Sequence, residues 1–391
     1  MSSFTESFAR QVRQQKTVVA RAFSTAALSE MEETLRERLA QRWHALPAAA
    51  RHRSPVFASD GSEAVRHFNN GWLVLVAQAL LVGPDCQEPL SAVRFVRAGL
   101  PEPVTTRYAG LLMRRLELQA ALQALPRAAG GILCTDGSLW AGIPHLLYSL
   151  AVDGEADLPL ALLEAYLDLL DACERDDVLL FGIAKTSVAS TLAEALLTMN
   201  DVDVLPAEPD PPLTIADPCD AEILFRWAGD TGFTQPLVLG VHALGQRRRG
   251  FLGSLEEISR GFEAAGGQQY GRAERVRLLE RLRESSALLT VHVRLSPTEE
   301  TLRVDLPARA LGLAQRLGDL YLGWASPEYG REVAAYLLAS YGGPRVYNAP
   351  IYVADQLVRL SGSLMDGAYL AVLRDVLGEY VQYDRSRRRF L

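Results

Sequence analysis

Val56-Phe57-Ala58-Ser59-Asp60-Gly61-Ser62 and Ile132-Leu133-Cys134-Thr135-Asp136-Gly137-Ser138 are the two stretches on which the fold turns. Each is a short apolar run that delivers an aspartate followed by glycine and serine. The expectation for each is a buried strand whose end carries its aspartate into a glycine turn, at the rim of a sheet. A single Asp-Gly-Ser triplet is ordinary turn chemistry. Two of them are far more specific when one sits on the first strand of a meander and the other on the strand after the first helix.

The residues between and beyond them supply that frame. Residues 71–82 are rich in Leu and Val, Pro84-Asp85 turns the chain, and residues 92–96 alternate as a third strand. Residues 105–125 read as a helix with Leu112, Leu116, Leu122 and Leu125 on its buried side, and residues 158–174 as another. The apolar run 178–183 then leads into Lys185. The order βββ-α-β-α-β predicts an α/β fold, a mixed sheet with helices packed on it.

Upstream, residues 1–50 read as a helical arm. Leu28, Met31, Leu35, Leu39 and Trp43 recur at three- and four-residue steps, with Ser29 and Glu32 as a capping box. Such an arm must pack on its own domain or on a second subunit. Downstream, residues 205–218 are proline-rich and acidic and read as a loop. Residues 237–244, 288–295 and 301–306 read as strands, 256–284 as helix broken at Gly266-Gly267, and 348–383 as helix. The expected organisation is an arm over 1–50 and one domain over 51–391, with an insertion around 205–285 and C-terminal helices.

Composition narrows the function. The chain has 391 residues, 49% hydrophobic and 22% charged, with no apolar run long enough to span a bilayer and no hydrophobic signal segment. Cysteines 86, 134, 173 and 219 are scattered and unpaired in sequence, so a reducing, cytoplasmic setting is expected. A net charge of −7 argues against coating nucleic acid by charge alone, although arginines cluster at 107–115, 247–249, 272–283 and 385–389. Each cluster reads equally well as a solvated helix face. The only lysines are Lys16 and Lys185. In so arginine-rich a chain, the compact ammonium at 185 invites a specific use. The six histidines show no HExxH or paired spacing, and no GxxxxGK[ST], GxSxG or dinucleotide fingerprint occurs.

Chemistry therefore falls to the carboxylates. Strands carrying Asp60 and Asp136 that lie side by side would bring both to one point, and the helix between them supplies Glu117 among Leu116, Leu118, Ala120 and Ala121. Converging carboxylates repel unless cations neutralise them, and oxygen ligands select hard ions such as Mg²⁺ or Mn²⁺. Two ions about 4 Å apart can activate water and stabilise a leaving oxygen in phosphodiester hydrolysis. Glu63 is an additional candidate ligand or a solvated turn residue. Lys185 is placed to hold a phosphate, or is a surface lysine.

The order strand-Asp-Gly-Ser, helix-Glu, strand-Asp-Gly-Ser, strand-Lys resembles the NurA nuclease domain, an RNase H-like fold. The segment Tyr347-Asn348-Ala349-Pro350-Ile351-Tyr352-Val353-Ala354-Asp355 is similar to that family's closing motif. The resemblance implies that Asp60, Glu117 and Asp136 bind catalytic metal, that Tyr347 lines the site, and that Asp355 stands where the family usually has histidine. Asp355 then reads as a fourth ligand or as a helix cap. The resemblance further implies a metal-dependent deoxyribonuclease that trims DNA ends in double-strand-break repair, a homodimer, and a HerA-type hexameric translocase as partner. A catalytically silent scaffold for a translocase, and an enzyme acting on RNA or hybrids, are the alternatives. Trp72, Trp140, Trp227 and Tyr270 could stack bases, but most of them read as core residues, and none tells DNA from RNA.

Overall fold

A computed structural model describes residues 3–16, 26–48, 55–68, 70–97, 99–185, 187–199, 204–206, 219–240 and 255–378. The arginine clusters at 247–249 and 385–389, most of the proline-rich segment, the end of the 237–244 run and the last residues of the 348–383 helix lie outside these.

The meander forms as expected and is longer than expected. Strands β2 (Val56–His67), β3 (Trp72–Gly83) and β4 (Cys86–Arg97) pair antiparallel, following the two-residue strand β1 (Trp43–His44). β5 (Ile132–Asp136) lies parallel to β2 on its other side, and β6 (Leu179–Ala184) lies parallel to β5. The core order β4-β3-β2-β5-β6 is RNase H-like, and it places the two Asp-bearing strands next to each other. Beyond β6 the sheet continues antiparallel through β11 (Leu302–Pro307), β10 (Leu288–Arg294), β9 (Leu237–Leu239), β12 (Leu320–Trp324) and β7 (Val204–Pro206). β8 (Gly232–Thr234) joins β1 to β10, giving twelve strands among the described residues.

Two apolar layers hold the helices on this sheet. The helix Glu102–Ala124 starts with a proline in its first turn and buries Leu112, Leu116 and Leu118. The helix Leu158–Arg175 buries Leu160, Leu163, Leu167 and Leu170, and the two share one face with each other. On the opposite face sit Pro327–Ser340, capped by the Ser326 side chain, and Ala349–Val358. In the latter, Asn348 caps the helix by accepting from Ile351 N at 3.2 Å, and Ile351, Ala354 and Val358 form its buried stripe.

Several expectations change. Asp60-Gly61-Ser62 is not a strand end: β2 runs on to His67 because β3 pairs with it through Asp60↔Leu80 to His67↔Leu73. Trp43 leaves the helical arm to pair with Thr234. Ser29 is not a cap, since its helix already begins at Ala26. The arm packs on its own chain: Leu35 and Leu39 are buried, and Arg38 donates to the carbonyls of Leu196 and Leu197. Three of the five arginines of 272–283 serve the structure, since Arg272 pairs with Glu256, Arg275 with Asp157, and Arg281 with Asp168 and Asp171.

A buried ionic node braces the far side of β5 and β6. Asp305 on β11 accepts from Thr290 Oγ1 at 2.6 Å and from Arg303 Nε at 3.0 Å, and it binds the Ser138 hydroxyl. It thus ties the turn after Asp136 to the sheet. Asp305→Ala leaves the fully buried Arg303 without this carboxylate and is expected to cost about 3–5 kcal/mol. Urea unfolding measures it, and Asp305→Asn should lose less.

Candidate active site

The parallel register decides the geometry. Ser59 pairs with Thr135, so Asp60 comes level with Asp136, where β5 stops. Gly137 ends β5 by adopting φ +100°, a conformation that side-chain-bearing residues avoid, while its N–H donates to Ile183 O at 2.9 Å. β2 continues past this point with an open flank, and side chains from both faces of the sheet gather there.

From one face come Asp60, Asp136, Tyr347 and Asp355. Tyr347 lies just ahead of the Asn348 cap, and its hydroxyl donates to Asp136 Oδ1 at 3.3 Å. Lys185, the first residue after β6, donates to Asp136 Oδ2 at 2.9 Å and stands 4.9 Å over the Tyr347 ring. Asp355 lies at the end of the second turn of Ala349–Val358, half-buried; the cap is Asn348, so the helix-cap reading of Asp355 is overturned.

From the other face comes Glu117, only 2% exposed. Its Oε2 accepts from Arg114 Nη1 at 2.6 Å, and the same nitrogen reaches the Asp136 carbonyl at 3.1 Å. Glu117 reaches the sheet because Gly61 has no side chain: a Cβ there would meet Glu117 Oε1 at 2.7 Å. The glycine of the first triplet therefore serves a close approach rather than a turn. Glu63, on the same face, has one carboxylate oxygen buried with no hydrogen-bond partner.

These carboxylates feel one another. Burial, then the charge of Asp136, with smaller contributions from Glu117 and Asp355, pushes the Asp60 carboxyl up to about 7. The Glu117 carboxyl is also raised: burial outweighs the Arg114 guanidinium that opposes it, and Asp136 and Glu63 add to the rise. The Tyr347 phenol is pushed far up by burial and the Asp136 charge, and remains a proton donor at any working pH. Arg114, Lys185 and Tyr347 hold the oxygens, and among the described residues no three His, Cys, Asp or Glu side chains form a ready-made ion cage. The donor set itself is all oxygen, as hard divalent ions require.

All six side chains singled out in the sequence, Asp60, Glu117, Asp136, Lys185, Tyr347 and Asp355, thus meet in one region. Those missed are positioning residues. Arg114 bridges Glu117 and Asp136. Asn348 caps the helix bearing Asp355 and donates to Tyr336 Oη at 3.3 Å, which in turn meets Cys134 Sγ at 2.7 Å, two residues before Asp136. An asparagine directly before Ala349-Pro350 was the available signal for the cap; nothing local announced Cys134 as its counterpart.

A family model described as the NurA domain matches residues 54–360. The chain belongs to the NurA family. The matched span contains every residue of the site. Among solved structures, the NurA nuclease from Sulfolobus solfataricus superposes with a TM-score of 0.55 at 15% identity, covering 96% of this chain and 98% of that one. NurA with manganese gives 0.55 at 12% identity, over 94% and 98%. NurA bound to dAMP and manganese gives 0.54 at 13%, over 93% and 97%. At such identities the likeness is one of fold. No curated protein matches the chain.

The electrostatics have a measurable consequence in the presence of chelator. A carboxyl whose pKa is higher folded than unfolded contributes stability that is fully present below the unfolded value, near 4, and lost as pH rises through about 7. Asp60→Asn removes that loss. Its stability relative to the parent should therefore grow from pH ~4 to ~7 and level off above, in denaturation curves at a series of pH values. A difference independent of pH would contradict the burial and repulsion described. Gly61→Ala, which forces Glu117 off the strand, should destabilise the fold by about 1–3 kcal/mol.

Proposed function

We propose that this chain is a divalent-metal-dependent deoxyribonuclease that hydrolyses phosphodiester bonds at DNA ends. The observation that carries the reading is the gathering of Asp60, Glu117, Asp136 and Asp355 at the end of β5, with Lys185 and Tyr347 on their rim. Membership of the NurA family supports it, as do the manganese and dAMP named for family structures.

Asp60, Glu117, Asp136 and Asp355 would hold Mn²⁺ or Mg²⁺, two ions in the reading adopted here. When bound, such ions neutralise charge at the scissile phosphate and make water a better nucleophile. The chain's own groups do the rest. The Lys185 ammonium, half-exposed, is free to exchange the Asp136 carboxylate for a phosphate oxygen. Tyr347 keeps its proton and positions Asp136 through its hydroxyl. Arg114 offsets the Glu117 charge and pins the backbone of Asp136, so that the carboxylates do not drift apart. In the reaction a water molecule gives up a proton as its oxygen forms a bond to phosphorus, one bridging P–O bond breaks, and the departing oxygen takes up a proton.

Action in double-strand-break end resection, as a homodimer fed by a HerA-type translocase, extends the proposal and rests on the family resemblance. The exposed apolar residues Phe4, Phe8 and Val12 on helix Ser3–Gln14 offer a surface for such contacts. Among the described residues no helix is long and apolar enough to cross a membrane.

Purified protein with Mn²⁺ should degrade end-labelled linear DNA, and chelator should stop it. Asp60→Ala and Asp136→Ala should each lower the rate on the order of a hundredfold or more, and Lys185→Ala about tenfold or more. The reading fails if the Asp60→Ala/Asp136→Ala double variant, folded by circular dichroism, cleaves like the parent.

A further inference from the structure

We propose that a hollow beside Asp136 and Lys185, walled by Trp140 and Val188, receives an unpaired base of the strand being cut. It deepens the nuclease reading and rests on it for the identity of the strand. Lys185 stands between two hollows. One, of about 390 Å³, is lined by Glu299, Arg345, Tyr347, Tyr352 and Asp355, and is rich in charge. The other, of about 310 Å³, has Asp136 and Lys185 at its mouth and Ser138, Trp140, Ala141 and Val188 as its walls.

Three features of this second hollow suit a base rather than a phosphate. Its charged groups, Asp136 and Lys185, stand where it meets the cleavage centre, and its remaining lining is uncharged. Val188 is 95% exposed, an apolar side chain with no core to fill. Trp140 is backed by the Arg303 guanidinium, 4.6 Å from the ring centre. Arg303 is itself 1% exposed and anchored through Nε to Asp305, while the Trp140 backbone N–H donates to Ser138 Oγ at 3.0 Å. The indole is therefore backed by a buried, anchored cation, and its main chain is tied to the turn after Asp136. A fixed aromatic ring is a stacking platform that accepts any base, because every base has a π-face.

The chain crossing Lys185 must send the nucleotide next to the bound phosphate to one side or the other. The charged hollow suits a phosphate-bearing path, and the Trp140 hollow suits the base. A paired base cannot enter without leaving its partner, so the geometry selects single strands or frayed ends.

The test compares an oligothymidylate with an abasic strand of equal length and charge. Fluorescence anisotropy in chelator gives affinities, and cleavage with Mn²⁺ gives kcat and KM. The parent should prefer the base-bearing strand about tenfold in Kd. Trp140→Leu and Val188→Asn, both neutral, should lose most of that preference while binding the abasic strand as before, and Trp140→Phe should keep it. If Trp140→Leu does not fold, Val188→Asn decides, since its side chain supports nothing. Undiminished preference in the folded variants overturns the proposal. Should the parent cleave neither strand while the preference still depends on Val188 and Trp140, the nuclease reading fails and the base site stands.

Discussion

Repulsion between carboxylates is the constraint around which the centre of this molecule is built. The parallel pairing of β2 with β5 sets Asp60 level with Asp136 at the point where β5 stops, and the absence of a side chain at Gly61 lets Glu117 approach from the opposite face. A protein selected for stability alone would separate these groups, since burial and mutual charge push Asp60 and Glu117 towards their neutral forms. Keeping them together requires braces, and they are present. Arg114 spans Glu117 and the Asp136 backbone, Lys185 and Tyr347 hold the two oxygens of Asp136, and the Asp305 node secures the turn that follows. Buried carboxylates braced in this way make a candidate functional centre.

The braces also connect the two halves of the chain. Tyr336 and Asn348 come from residues more than 200 positions beyond the β5 residue Cys134, yet they link it to the cap of the helix that carries Asp355. Tyr347, one residue before that cap, therefore has its position fixed by the same contact that starts the helix. Local helix capping and long-range site assembly are one event here.

The central core was legible in the sequence because β3, β5 and β6 are nearly continuous apolar runs, the mark of strands covered on both faces, because β4 alternates, and because glycines follow Asp60 and Asp136. Asp60, Asp136, Glu117 and Lys185 could be placed from that order alone, whereas Tyr347 and Asp355 needed the family resemblance. Other features were hidden for physical reasons. The continuation of β2 beyond Gly61 depends on pairing with β3, a tertiary effect that overrides the local turn preference of Asp-Gly-Ser. Between β11 and Tyr347 the pattern yields no clear element, yet β12 and the helix Pro327–Ser340 lie there; Ser326-Pro327-Glu328 signals the helix start, while Gly330 and two tyrosines blur its apolar stripe. The arginines of residues 272–283 read equally well as a binding surface or a solvated helix face, and only the fold reveals the acidic partners of Arg272, Arg275 and Arg281.

The central claim is that these side chains share divalent ions. Crystals soaked in Mn²⁺, with diffraction recorded at the manganese edge, test it directly. The account predicts anomalous density within about 2.3 Å of carboxylate oxygens of Asp60 and Asp136, with Lys185 turned away from Asp136. Well-ordered carboxylates with no anomalous peak between them, at an ion concentration that fills other sites on the molecule, would contradict it.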